Sequence, residues 1–213
     1  MFAAMLRAQW RWTRLPVVLV TLLAFTIPLL SVHLLESNDP RFVMASMQSW
    51  AVAYSALAGL VGLFFALAAW SSDHRLRHVY ALSLPLPRWR FVLNRYAAGA
   101  IFIVLPTVAL LVSAFLATRG DVVPTGLHTY IGSLGLRFLL ASLVAFSVFF
   151  LVASSSMRAA AYVLSALVAI VVADVLLNSA GMDFSLTGHL MDLVFSKPGL
   201  LAAFSGRWML LDV

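Results

Sequence analysis

The chain has 213 residues, 63% of them hydrophobic and only 10% charged, with a net charge of +6. Soluble globular domains carry about 25% charged residues, so this composition, with a mean hydropathy of +1.00, excludes a soluble fold and predicts an all-α integral membrane protein. No cysteine is present, which excludes a disulfide framework, a thiolate metal site and a cysteine nucleophile.

Residues 1–14 (MFAAMLRAQWRWTR) place Arg7, Arg11 and Arg14 on one helical face, with Trp10 and apolar side chains on the others. That pattern predicts an N-terminal interfacial amphipathic helix lying in the headgroup plane. The simpler alternative is that the three arginines mark the cytoplasmic end of the first span. Both place the N-terminus inside. The apolar run that follows is about 20 residues, longer than a signal core, so no cleavable signal peptide is expected.

The first span is predicted over 15–35, with Pro16 near its start and Pro28 as an internal kink. A short outer loop, ESNDPR, follows. The uncharged stretch 42–72 predicts a second span over 50–70, with a polar start at Gln48-Ser49 and with Trp50 and Trp70 at opposite interfaces. Residues 71–96 then form a polar elbow holding five of the thirteen arginines. A short helix there must end at Pro85-Leu86-Pro87, and a second helix can start at Arg88.

Further spans are predicted over 97–118, 138–157 and 159–177, five in all. An outer loop rich in turn residues precedes the fourth, and a tight turn with Arg158 follows it. The tail, 178–213, contains apolar pieces too short to cross a bilayer. It is expected outside as re-entrant helices, unless a sixth span is missing beyond Val213. The whole of 1–213 is therefore a single transmembrane domain. Nine Lys and Arg fall on the expected inner segments against five on the outer ones, which orients the N-terminus to the cytoplasm.

The single lysine, Lys197, is followed by Pro198. No G-x-x-x-x-G-K-[ST] phosphate loop exists in this sequence, so ATP hydrolysis, if it drives this protein, belongs to another chain. His74 and His78 are spaced for a metal pair, but their arginine neighbours repel a cation, and the pair is read as part of a solvated basic face. Ser154-Ser155-Ser156 is read as a polar turn. No catalytic, cofactor-binding or metal-binding residue is expected, and the chain is not expected to be an enzyme. Asp174 is the one acid within an apolar run, and Arg137 is its candidate partner in an intramembrane ionisable pair. Gly59, Gly62 and Ala66 give the second span a small-residue face for helix packing or dimerisation.

The elbow resembles that of the permease subunits of type-2, exporter-class ABC transporters. In that family an acidic residue opens the connection between spans two and three. A short coupling helix and a Leu-x-Leu-Pro-x-x-Arg sequence follow. Here Asp73 stands at the acidic start, and Leu82-Ser83-Leu84-Pro85-Leu86-Pro87-Arg88 is similar to the later part. The small pair that often follows the acid is replaced by Arg75 to His78, and the family has six spans rather than five.

The resemblance implies a coupling helix docked on a separate nucleotide-binding ATPase subunit through Asp73, Arg75, Arg77, His78, Tyr80, Leu82, Leu84, Pro85, Pro87 and Arg88. It also implies ATP and Mg on that partner and none here, and a homodimer or a heterodimer with a similar permease. The expected location is a bacterial inner membrane, in contact with lipid and with no nucleic acid. The alternative is a non-transporting scaffold or accessory subunit that holds a soluble partner or anionic lipid through the basic elbow.

Overall fold

The computed structural model describes residues 2–34, 40–75, 87–119, 127–154, 202–204 and 208–212, together with Tyr162, Ser165, Ala169 and Ala173. The chain divides into two compact units, residues 1–150 with 207–213, and residues 151–206. Of the second, only the end of one long helix, the four isolated helical residues and a 3-10 turn at Ala202–Phe204 are described. The first unit holds four long helices: α1 (Phe2–His33), α2 (Pro40–Arg75), α3 (Arg88–Ala117) and α4 (Ile131–Ser154). Each is long and apolar enough to cross a membrane. The protein is an all-α, multi-pass membrane protein.

Helix α1 is continuous over 32 residues, about 48 Å at 1.5 Å per residue against a hydrocarbon core of about 30 Å. Residues 2–14, expected as a separate interfacial helix, are its opening turns, with no break before the span. The reason lies in what they touch: Gln9 and Thr13 are buried, and the Trp10 ring lies 5.6 Å from that of Phe102 on α3. The Thr13 hydroxyl donates to the Gln9 carbonyl at 2.8 Å, so its burial leaves no orphan group.

Helix α2 starts at Pro40, where a missing N–H costs nothing, and its apolar part runs from Phe42 to Trp70. The expected polar start at Gln48-Ser49 does not interrupt it. Ser49 donates to the Ser46 carbonyl one turn back, at 2.7 Å, and so needs no helix end. Its last turn, Ser71 to Arg75, is the opening of the elbow.

Helix α3 begins at Arg88, as the proline rule predicts. Pro87 is its N-cap in extended conformation (φ −61°, ψ 132°), and its carbonyl accepts from the Arg90 and Phe91 amides at 3.0 and 3.3 Å. Helix α4 begins at Ile131, about two turns before the expected 138. Arg137 is therefore not a helix boundary; it sits half-buried in the helix between buried Leu134 and Phe138. The fifth expected span, 159–177, lies largely outside the described residues.

Three sets of contacts fix the directions. Gln9 meets Gly99 and Phe25 meets Ser113, so α1 and α3 are parallel. Gly62 meets Ala145 and Trp70 meets Phe150, so α2 and α4 are parallel. Gly99 meets Phe146 and Gly135 meets Leu111, so α3 and α4 are antiparallel. One end of the bundle thus holds the starts of α1 and α3 and the ends of α2 and α4; it is called the elbow end below. At the opposite end β1 (His128–Thr129) pairs antiparallel with β2 (Leu211–Asp212). The Tyr130 amide adds a bond to the Leu210 carbonyl at 3.0 Å. Trp208, Leu210 and Leu211 are buried there, a return of the tail onto the body that the expected re-entrant helices did not include.

Candidate functional site at the elbow end

The two limbs of the elbow leave from a packed aromatic block. Trp70, at the end of the apolar part of α2, is 5% exposed and lies 5.2 Å from Phe150 of α4. Trp70, expected at a membrane interface, ends the apolar part of α2 and turns its ring inward against α4. Arg95 on α3 places its guanidinium 4.8 Å from the Trp70 ring centroid and 5.2 Å from that of Phe91, one turn earlier on its own helix. A cation over an aromatic face contributes about 0.5–1 kcal/mol when exposed and roughly 2 when desolvated. This contact therefore joins the outgoing limb of the elbow, on α2, to the returning limb, on α3.

The next residue, Tyr96, extends the block to α4. Its ring lies 5.2 Å from Phe146 and 5.4 Å from Phe150, edge-on to the latter at 83°. Its hydroxyl is 2.7 Å from Ser147 Oγ. Ser147 gives its own proton to the Leu143 carbonyl at 2.7 Å, so Tyr96 is the donor in that pair. Phe146 and Phe150 stand one turn apart on α4, 5.5 Å between centroids. Three helices thus meet through rings at the place where the elbow leaves and returns. Trp70 Nε1 is buried with no hydrogen-bond partner among the described residues.

Close backbone approach holds α4 to the other two helices. A Cβ built on Gly62 would lie 2.5 Å from both Ala145 Cβ and the Phe146 amide nitrogen. One built on Gly99 would lie 2.5 Å from Phe146 Cζ and 3.1 Å from Gln9 Nε2. Of the small residues singled out on the second span, Gly62 is the point of contact with α4, and Ala66 is fully buried.

The expected docking residues divide as follows. Asp73 and Arg75 lie in the last turn of α2, Pro87 caps α3, and Arg88 is its first residue. Arg77, His78, Tyr80, Leu82, Leu84 and Pro85 lie outside the described residues. On α1, Arg7, Arg11 and Arg14 are exposed, and Trp10 is 44% exposed. Of the candidate ionisable pair, Arg137 is half-buried in α4 and Asp174 lies outside the described residues.

Sequence reasoning did not single out Phe91, Tyr96, Phe146, Ser147 or Phe150. The available signal was spacing: Phe91 and Arg95, and Phe146 and Phe150, are i, i+4 pairs that share a helix face. Comparison with known protein families, with curated proteins and with solved structures found no match.

Proposed function

We propose that this chain is the membrane-spanning permease subunit of an ATP-driven transporter of the type-2 ABC class, an exporter, working as a dimer of such chains with separate ATPase subunits. The reading rests on the resemblance of Asp73 and of Leu82 to Arg88 to that family. The observation that carries it furthest is the Trp70–Arg95–Phe91 contact that ties both limbs of the elbow into one block. A partner pushing on a loose loop moves only the loop. One pushing on residues 71–96 moves α2 and α3 together, and Tyr96 passes the motion to α4. Cytoplasmic placement of the elbow belongs to the same proposal and follows from the excess of arginine at that end.

The test is purification of the tagged protein in mild detergent, with bound proteins identified by mass spectrometry. Recovery of a stoichiometric ATPase is expected, and its loss when Leu84-Pro85-Leu86-Pro87 is replaced by glycines. Charge reversal at Arg75 and Arg77 should leave membrane insertion intact and abolish coupling to ATP hydrolysis. Transport that proceeds normally in that double variant would sink the proposal, and recovery of only a non-ATPase protein would favour the scaffold.

A further inference from the structure

The arginines of α1 pose a problem independent of the elbow. Trp10 stands against Phe102, and Phe25 against Ser113. In this parallel register Arg11 and Arg14 are level with residues around 101–105 of α3. That level lies inside the apolar part of α3, Trp89–Ala117, and about 10 Å beyond Ala97 at 1.5 Å per residue. Ile101, Val104 and Leu105 are exposed there. Arg7, Arg11 and Arg14 are exposed as well, so their charges are not taken into the protein interior. Neither α1 nor α3 contains an acidic residue to pair with them. Exposed guanidinium groups beside an apolar helix surface need an anion or water.

The stripe also has a built edge. Trp10 borders the stripe, one turn from both Arg7 and Arg14 on α1, and its contact with Phe102 puts it at the α1–α3 seam. Apolar side chains continue the surface on both helices, with Leu15, Val18 and Leu19 exposed on α1. A ligand that fits must be anionic at one end, to match three guanidinium groups, and apolar over the rest. A lipid with a net negative phosphate headgroup has both properties, whereas a zwitterionic lipid brings its own cation against the arginines. Guanidinium forms paired hydrogen bonds with phosphate oxygens, which favours this anion further.

We propose that the Arg7–Arg11–Arg14 stripe, beside Trp10 at the α1–α3 seam, is a binding site for an anionic phospholipid, whose phosphate is drawn toward the level of the apolar surface of α3. The site draws lipid headgroups inward along α1 and leaves the acyl chains on the exposed faces of α1 and α3.

Trp10 provides the readout. The protein is reconstituted in phosphatidylcholine vesicles containing either brominated phosphatidylglycerol or brominated phosphatidylcholine. The Trp10 signal is the difference in fluorescence between the unaltered protein and Trp10→Phe. Brominated phosphatidylglycerol is expected to quench that signal at a mole fraction at least about fivefold lower than brominated phosphatidylcholine, since even one arginine near a charged surface favours anionic lipid about fivefold. Arg7→Gln/Arg11→Gln/Arg14→Gln should abolish the preference. Arg11→Gln alone should reduce it, and decides the matter if the triple variant does not insert. Equal quenching by the two lipids, or a preference unchanged in both variants, overturns the proposal. The chain has no cysteine, so Arg11→Cys can be tested directly for a disulfide to a second copy. Efficient formation of that dimer would assign the stripe to a protein interface and overturn the lipid site.

Discussion

A single hydrogen atom at Gly62 separates two helix backbones, because a methyl group there would stand 2.5 Å from the Phe146 amide. Two other described glycines, on α4, differ in what they meet. At Gly135 the neighbour is the flexible end of Leu111, and at Gly132 no described residue lies within 4 Å of an added Cβ. The three positions therefore form a graded series. Gly62→Ala is expected to cost about 1–3 kcal/mol, the usual penalty for overpacking a rigid contact. Gly135→Ala should cost less, since Leu111 can change rotamer. Gly132→Ala should be neutral or stabilising by up to ~1 kcal/mol through the lower helix cost of alanine. Thermal unfolding in detergent gives the order directly, and a Gly62→Ala protein as stable as Gly132→Ala would refute the packing argument.

At the scale of the element, the part of α1 far from the elbow end shows how a membrane helix accommodates proline. Pro28 has no N–H, which leaves the Ala24 carbonyl without its helical donor and loosens the turn around it. The neighbouring Phe25 carbonyl receives the Ser113 hydroxyl from α3. Ser31 donates to the Pro28 carbonyl at 2.9 Å, and Tyr54 of α2 is 2.9 Å from Ser31 Oγ. Since the Ser31 proton is committed to Pro28, Tyr54 is the donor of that last bond. Side chains of both neighbouring helices thus serve the proline turn, the condition under which such turns are tolerated in lipid. Tyr54→Phe and Ser113→Ala are each expected to lower stability by about 0.6 kcal/mol, the average for an interhelical hydrogen bond in a membrane protein. Combining Tyr54→Phe with Ser31→Ala should cost little more than Ser31→Ala alone. A fully additive double variant would show that the two hydroxyls do not act as a pair.

For the whole molecule, the helix directions place residues 2–14 and the elbow at one end of the bundle and the β1–β2 pair at the other. Single cysteines introduced by Ala4→Cys and Ser83→Cys should react with an impermeant maleimide from the same side of the membrane. Thr125→Cys should react from the opposite side. Labelling of Ala4→Cys and Ser83→Cys from different sides would break the topology. The same experiment in sealed vesicles of known orientation reports which side is cytoplasmic.

Much of this architecture was legible in the chain itself. Composition demanded burial in lipid, because so few charges and so many apolar side chains cannot cover a soluble surface. Proline chemistry placed the start of α3 at Arg88, since Pro87 is favourable just ahead of a helix and unfavourable within one. Charge runs and polar residues were poorer guides to helix ends. Ser49 and Arg137 look like boundaries in the sequence, yet a serine can bond back to its own helix and a long arginine side chain can sit partly buried within one. The elbow block was not legible, because Trp70, Arg95, Tyr96 and Phe150 are distant in sequence and meet only when three helices pack. The β1–β2 pair was hidden for the same reason, as its two strands are more than eighty residues apart. Periodicity and composition act within one helix and decide what enters the membrane. Which faces then meet, and at what register, depends on fits such as Gly62 on Phe146, and only the folded bundle decides those.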